Sequence, residues 1–207
     1  MCAPFFERTM NIGLYFGSFN PIHIGHTRIA QVALQQQRLD CVWFMISPQN
    51  PFKETDGLAP EHHRLAMAKL ACAELENIIA VDFEFSLPRP SYTIATLIEL
   101  NKRYPDYSFS IIIGDDNLQS FHLWKNVEHL LELVRVIVYP RNAEKISLPE
   151  TLRSFADQFT FLTGDLLPIS ATEIRALLKN RQPTIHLLHR DVLQYIQENK
   201  LYSDSET

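Results

Sequence analysis

The hydrophobic positions of the chain fall into two kinds of segment. Short runs that are apolar almost throughout, and rich in β-branched and aromatic residues, predict β-strands. Longer segments with apolar residues three and four positions apart predict helices. The predicted strands are Asn11–Phe16, Cys41–Ile46, Ile78–Val81, Phe109–Ile113 and Val134–Tyr139, and the predicted helices between them are Ile24–Gln37, Pro60–Leu75, Tyr92–Arg103 and Trp124–Leu133.

Strands and helices therefore alternate along the chain. Strands without a polar face suit a parallel sheet that is covered on both sides, so we predict an α/β fold, a Rossmann-like doubly wound parallel sheet. After Pro168, the segments Ser170–Lys179 and Arg190–Asn199 have helical spacing and predict a C-terminal helical appendage. No repeat or linker interrupts the chain, so we expect a single domain over residues 1–207, with a core at about 11–165 and a C-terminal helical part at about 168–201.

Composition narrows the class of protein. The chain has 207 residues, of which 46% are hydrophobic and 21% charged, values typical of a globular protein. Its three cysteines, Cys2, Cys41 and Cys72, form no zinc-ligand spacing, and their odd number argues against a disulfide framework. With no secretion signal and no long apolar run, we expect a reduced, cytoplasmic protein that does not bind membranes. The net charge of −5 and the lack of a basic block disfavour nucleic acid as a partner.

The loop after the first predicted strand carries the strongest chemical signal. It runs from Gly17 through Pro21 into a helix, and the two histidines His23 and His26 lie three positions apart. We expect Gly17 to allow a tight turn near a ligand, and the new helix to offer free N–H groups to a phosphate. Residues three apart share a helix face, so both imidazoles can point at one anion. The loop matches neither GxxxxGK[ST] nor GxGxxG, so neither the P-loop nor the dinucleotide fingerprint applies.

A second helix start lies near the C-terminus, in the segment ISATEIR. Ser170 as N-cap, Glu173 as its capping-box partner and Ile169 with Ile174 as a hydrophobic staple would specify this helix without any ligand. The same start would also expose amide groups, and Arg175 follows one turn later, where its planar guanidinium could bind phosphate oxygens. The two interpretations are compatible.

Together these segments resemble the HxGH and ISSTxxR signatures of the nucleotidyltransferase superfamily. Further segments, in order along the chain, resemble the bacterial nicotinate-nucleotide adenylyltransferases: SPQNPFK, HRLAMAKLA, PSYT, GDDNLQSFHLW and YPR. The resemblance covers nearly the whole chain, from about Ile12 to Leu201.

The resemblance implies a role for each matching residue. His23 and His26 would be catalytic, stabilising negative charge on the α-phosphate and on the departing pyrophosphate. The ATP-binding residues would be Gly17, Ser18, Phe19, Ser170, Thr172 and Arg175. The mononucleotide-binding residues would be Asn50, Lys53, Thr93, Asp116, Trp124, Lys125 and Arg141. Trp124 would stack on the pyridine ring, and backbone amides near Thr93 and Lys125 would receive its carboxylate.

Taken singly, most of these residues also have an ordinary structural explanation. Trp124 could be a core residue, Asp115 and Asp116 could cap a helix, and Lys53 could be a solvated lysine. The chain also departs from the family pattern where relatives often carry an arginine before PSYT: Leu87 stands there, and Arg89 is the residue that could replace the charge.

The implied reaction joins ATP to nicotinate mononucleotide, giving the dinucleotide precursor of NAD and pyrophosphate. Mg²⁺ is the expected cofactor, carried with ATP, and no dedicated protein site for a metal is evident in the sequence. Alternatives are the same chemistry on nicotinamide mononucleotide, phosphopantetheine or flavin mononucleotide, and a nucleotide-binding module without turnover. A homo-oligomer is compatible with the sequence, which leaves the oligomeric state open.

Overall fold

The computed structural model describes residues 9–48, 57–140, 147–165 and 168–203. Six parallel strands form one sheet in the order β3-β2-β1-β4-β5-β6. They are β1 Met10–Gly17, β2 Cys41–Ile46, β3 Ile78–Val81, β4 Tyr107–Gly114, β5 Arg135–Tyr139 and β6 Phe159–Phe161. The chain moves outward from β1 to β3 and then crosses back to β4 on the other side of β1, so the topology is that of a doubly wound sheet. The predicted fold class is confirmed.

Seven α-helices accompany the strands in the described residues. They are α1 Ile24–Gln36, α2 Glu61–Cys72, α3 Thr93–Arg103, α4 Asp115–Leu118, α5 Val127–Leu133, α6 Ala171–Lys179 and α7 Arg190–Glu198. Three 3₁₀ helices add Phe83–Ser86, Phe121–Leu123 and Glu150–Gln158. No helix among these residues combines the length and apolarity needed to cross a bilayer.

The sheet is covered on both faces because successive strand residues enter different cores. On β4, Ile111 and Ile113 pack into one cluster with α3 and α5, while Ile112 packs into the other with α1 and α2. On β5, Val138 joins the first cluster and Tyr139 the second. This alternation into two apolar layers explains why the strands show no polar face in the sequence. Residues of α6 and α7, such as Ile174 and Ile196, belong to the second cluster, so the C-terminal helices pack onto the sheet as predicted.

The structure differs from the prediction at one helix start and by one additional strand. The helix expected over Trp124–Leu133 begins only at Val127, because Trp124 is extended and Asn126 adopts a left-handed conformation with φ of 51°. The short strand β6 was not predicted, since its three residues are too few to show a period. β6 pairs with β5 and places Phe159 in the core.

Candidate active site

The histidine pair lies at the N-terminus of α1, at the carboxyl end of β1. His23 is the N-cap residue, and its backbone N–H donates to Nδ1 of His26 over 3.3 Å. The two imidazoles are stacked, with centroids 3.6 Å apart and planes inclined by 25°. His23 is buried, whereas His26 is half-buried. As the sequence predicted, the structure brings both rings together at a helix N-terminus, where the helix dipole favours an anion.

Gly25 makes room for this arrangement. A Cβ at this position would lie 3.0 Å from Nδ1 and 3.1 Å from Cε1 of His23, closer than ordinary van der Waals contact. The glycine between the histidines therefore allows the His23 ring to lie against the backbone of α1. Any side chain at this position would compete with the ring for the same space.

Gly17 stands in this turn for a reason other than a left-handed backbone. The left-handed residue of this turn is Phe19, with φ of 47°, and not Gly17. Gly17 is required by close approach, because a Cβ there would lie 2.9 Å from the Phe19 ring. The Phe19 side chain is only 3% exposed and packs edge-on against His26, with centroids 5.0 Å apart. Phe19 thus supports His26 from within the core, and only its backbone is placed to contribute to a nucleotide site.

Arg175 connects the C-terminal helices to this turn. Ser170 is the N-cap residue of α6 as predicted, but its side chain makes no capping hydrogen bond, so the expected capping box is wrong. Arg175 Nη1 donates to the carbonyl of Asn20 over 2.8 Å, and Nη2 lies 3.3 Å from Oγ1 of the exposed Thr172. The guanidinium therefore lies beside the turn that leads into His23.

Asn20 is itself held by three further hydrogen bonds. Its Oδ1 accepts from the Tyr202 hydroxyl over 2.7 Å and from the Ala59 amide over 3.1 Å, and its Nδ2 donates to the Gly57 carbonyl over 2.9 Å. Burial raises the pKa of Tyr202, which keeps the hydroxyl protonated as a donor. The segment after α7 thus helps to fix the histidine loop, a contact that no local sequence pattern indicates.

A cleft lies at the carboxyl ends of the strands, and we call it the strand-end cleft. Tyr15 lines it, and the centroid of the Tyr15 ring is 6.0 Å from that of His26. Its floor includes Gly17 and Ser47, at the ends of β1 and β2. Residues from the predicted mononucleotide side also line it, namely Thr93, Trp124 and Lys125. Trp124 is half-buried and packs on Phe121 with centroids 4.7 Å apart, so it contacts the core and also presents surface to the cleft.

One wall of the strand-end cleft combines a lysine with the N-terminus of a helix. Thr93 is the first residue of α3, and this helix start has no side-chain cap among the described residues. The first amides of a helix lack intrahelical partners and can donate to an anion. Lys125 Nζ lies 4.1 Å from the centroid of the Tyr92 ring, directly before Thr93. This wall therefore suits a carboxylate or phosphate.

Glu84 is a buried carboxyl group in the same cleft. It is 2% exposed and accepts hydrogen bonds from the Thr96 hydroxyl over 2.7 Å and the Ser91 hydroxyl over 3.1 Å. Burial raises the pKa of Glu84, an effect that hydrogen bonds from Thr96, Ser47 and Ser91 partly offset. Glu84 thereby ties the start of α3 to the rest of the cleft. No sequence pattern assigned Glu84 a role, although its position shortly before the PSYT segment is a signal that could have identified it.

The remaining predicted residues have different outcomes. Asp116 is exposed in the first turn of α4, and its neighbour Asn117 lines the strand-end cleft instead. Arg89 forms an ion pair with Glu61 over 2.8 Å, so its charge is engaged by α2 rather than directed into the cleft. Asn50, Lys53 and Arg141 lie outside the described residues. Within the described ranges, no group of three or more His, Cys, Asp or Glu side chains is arranged to hold a metal ion.

Comparison with known proteins identifies the family to which this chain belongs. The cytidylyltransferase-like family model matches residues 14–177. The chain belongs to the cytidylyltransferase-like family. It is 42% identical to a probable nicotinate-nucleotide adenylyltransferase of Cytophaga hutchinsonii, over 94% of this chain and 100% of that protein. A protein of Flavobacterium psychrophilum with the same description is 40% identical, over 93% of this chain and 99% of the relative.

A solved structure has the same fold. The nicotinic acid mononucleotide adenylyltransferase of Plasmodium falciparum, complexed with NaAD, superposes with a TM-score of 0.79 at 22% identity, covering 93% of this chain and 97% of that one. The sequence relatives confirm the resemblance to nicotinate-nucleotide adenylyltransferases that the motifs indicated. The chain therefore combines this fold with a stacked histidine pair at the start of α1.

Proposed function

We propose that the chain transfers the AMP group of ATP to nicotinate mononucleotide, forming nicotinate adenine dinucleotide and releasing pyrophosphate. The observation that carries the proposal is the stacked pair of His23 and His26 at the start of α1, beside a cleft that holds Trp124 and the start of α3. The relatives bear the names of enzymes that act on the same mononucleotide.

The reaction needs no nucleophile from the protein. A phosphate oxygen of the mononucleotide attacks the α-phosphorus of ATP and forms a new P–O bond. The bond between the α-phosphorus and the α,β-bridging oxygen breaks, and pyrophosphate leaves with the electron pair. Because a phosphate monoester is already an anion near neutral pH, catalysis consists of positioning both substrates and stabilising negative charge in the transition state.

The chain's own residues supply that stabilisation. His23 and His26 would donate to oxygens of the α-phosphate and the leaving group, next to the positive end of α1. Arg175 would reach the β- and γ-phosphates by exchanging its bond to the Asn20 carbonyl for phosphate oxygens. Mg²⁺ would enter as part of the ATP substrate, held mostly by phosphate oxygens and water, because it dehydrates reluctantly.

Nicotinate mononucleotide and nicotinamide mononucleotide differ in the substituent on the pyridine ring, so the site must distinguish them there. Trp124 offers a stacking surface that nicotinate and nicotinamide rings can use alike, since both present the same π-face. The amides near Thr93 and Lys125 can donate to both oxygens of a carboxylate, but would face the NH₂ of an amide without an acceptor. Leaving buried donors unpaired is costly, so the site should reject the amide strongly.

The decisive experiment compares the two mononucleotides as substrates with MgATP, following pyrophosphate release and dinucleotide formation. We expect a preference for nicotinate mononucleotide of at least about a hundredfold in kcat/KM. Equal values for both would refute the nicotinate assignment while leaving adenylyl transfer intact. If ATP binds measurably but no pyrophosphate is released with either mononucleotide, the result would favour another acceptor or a binding module without turnover.

A further inference from the structure

Arg64 is a buried arginine, with 1% of its surface exposed. It lies in the first turns of α2, where an arginine is ordinarily solvated. Its guanidinium donates to four backbone carbonyls: Nε to Ala59 over 2.9 Å, Nη1 to Ser18 over 2.8 Å and to Ser47 over 2.7 Å, and Nη2 to Pro48 over 2.9 Å. One side chain thus joins three separate segments of the chain.

These segments are the two loops that end the central strands and the turn before α2. Ser18 follows β1 and precedes Phe19, which packs against His26. Ser47 and Pro48 follow β2, and Ser47 lines the strand-end cleft. Trp124, on the predicted acceptor side, lines the same cleft. Arg64 therefore bridges the loop of the histidine pair and a loop that lines the strand-end cleft.

The guanidinium group of Arg64 suits this position because its four hydrogen-bond partners are neutral backbone carbonyls. None of the carboxylates in the described ranges forms an ion pair with Arg64, and burial lowers the pKa of the guanidinium. Burying a charge without a counter-charge is costly unless its hydrogen bonds are satisfied. A planar fork with five N–H donors can satisfy four carbonyls at once, whereas an ammonium has three donors and no fixed plane.

We propose that Arg64 is a positioning residue that sets the distance between the two bound substrates, an inference that rests on the proposed adenylyl transfer. The loop after β1 leads to the histidine pair that would contact the α-phosphate, and the loop after β2 contributes Ser47 to the strand-end cleft, where the acceptor would bind. In-line attack requires the acceptor phosphate and the α-phosphorus of ATP to be correctly aligned. A misplacement of about 1 Å can lower the rate on the order of a hundredfold. Arg64 touches neither substrate.

This role makes a prediction that simple structural support does not. Each substrate depends for binding on its own loop, so loss of the bridge should leave each binary complex largely intact. The transfer step depends on both loops together. Weakening Arg64 should therefore lower kcat far more than it raises either dissociation constant.

The test uses Arg64→Lys, which keeps the charge and some hydrogen bonds, with Arg64→Gln as a second variant whose amide donates two hydrogen bonds without a charge. Calorimetry gives Kd for ATP, in the absence of acceptor, and Kd for nicotinate mononucleotide, and steady-state assays give kcat. We expect kcat to fall roughly ten- to hundredfold, while each Kd changes by less than about threefold and circular dichroism shows a folded protein. Arg103→Lys, at an exposed arginine in the last turn of α3, is the matched control and should leave kcat unchanged.

The outcomes separate the two proposals. A wild-type protein that forms no dinucleotide would refute the proposed function, and the role of Arg64 with it. Wild-type turnover with unchanged kcat in a folded variant would refute only the role of Arg64. If kcat, the affinities for both substrates and the thermal stability all fall together, Arg64 has only a general structural role and the proposal is refuted. If Arg64→Lys fails to fold, the same comparison is made on Arg64→Gln.

Discussion

The imidazole rings of His23 and His26 lie face to face, with their centroids 3.6 Å apart. Two rings at this distance are close enough to act on the same phosphate group, which is the role we propose for them. Phe19 supports the pair from the core side and Gly25 leaves space for the His23 ring. Sequence spacing, helix geometry and packing thus bring the two imidazoles together at the start of α1.

Replacing His26 tests whether this site is catalytic. His26→Ala should fold normally and lose roughly a hundredfold or more in kcat, because a preorganised donor to the transition state is removed. His23→Ala should lose a similar factor and also some thermal stability, since His23 is buried. His129→Ala, at an exposed histidine on α5, is the control. Near wild-type kcat in His26→Ala would rule out the assignment.

Gly25→Ala tests the packing of the His23 ring. The added Cβ would meet the ring at 3.0 Å and force it to move. We expect kcat to fall about tenfold or more, because small displacements of catalytic groups are costly. Thermal stability should hold or rise, since alanine is favoured over glycine in a helix by about 1 kcal/mol. Parallel thermal melts and assays check this, and an unaltered kcat would mean that the ring position is not critical.

Arg175→Lys tests the phosphate role of the C-terminal helices. Lysine keeps the charge but lacks the planar fork, so KM for ATP should rise on the order of tenfold, corresponding to about 1.4 kcal/mol. KM for the mononucleotide should change little. Arg190→Lys, at an exposed arginine that begins α7, serves as the comparison. Unchanged kinetics for ATP would leave Arg175 as a support for the Asn20 turn and nothing more.

Trp124→Ala tests the stacking surface of the strand-end cleft. Stacking of a ring on an aromatic side chain contributes about 1–3 kcal/mol, so KM for both mononucleotides should rise roughly ten- to hundredfold. The ratio of the two KM values should persist, because the proposed discrimination between the ring substituents lies at the start of α3 and does not involve Trp124. Trp124→Phe should retain most of the affinity. If Trp124→Ala instead makes the KM values for the two mononucleotides equal, Trp124 itself determines specificity and this division of roles is wrong.

Glu84→Gln tests the buried carboxyl group through the pH dependence of stability. Burial raises the pKa of Glu84 above its ordinary value of 4.5, so the folded protein holds this proton more tightly than the unfolded chain does. The contribution of Glu84 to the free energy of unfolding is therefore fully present below pH 4.5 and is lost as pH rises through the folded-state pKa. Glutamine does not titrate, so the stability of the variant relative to wild type should improve as pH rises.

Urea unfolding of both proteins at matched pH values from about 4 to 8 measures this difference. Titrations elsewhere in the chain are shared by the two proteins and cancel in the comparison. A difference that stays constant over this range, or that changes in the opposite direction, would show that Glu84 has no raised pKa in the folded state.

Much of the fold was accessible from the sequence because it depends on local periodicity. Strands such as Cys41–Ile46 and Ile78–Val81 match the predicted bounds, since an apolar run between polar turns leaves few alternatives. The approach of His23 and His26 was also predictable, because residues three apart share a face at a helix start. The N-cap position of Ser170 follows from local preference in the same way.

Other features depend on contacts between residues distant in the sequence. Arg64 is buried because three segments present their carbonyls to it, and nothing in its own helix indicates this. The pairing of Tyr202 with Asn20 spans nearly the whole chain. Phe19, and not Gly17, takes the left-handed conformation because its ring is drawn into the core against His26. The sequence alone determined which elements form and which side chains could do chemistry, through local backbone preferences; the tertiary structure decided which buried groups hold them in place, because hydrogen bonding and packing between distant segments have no local signal.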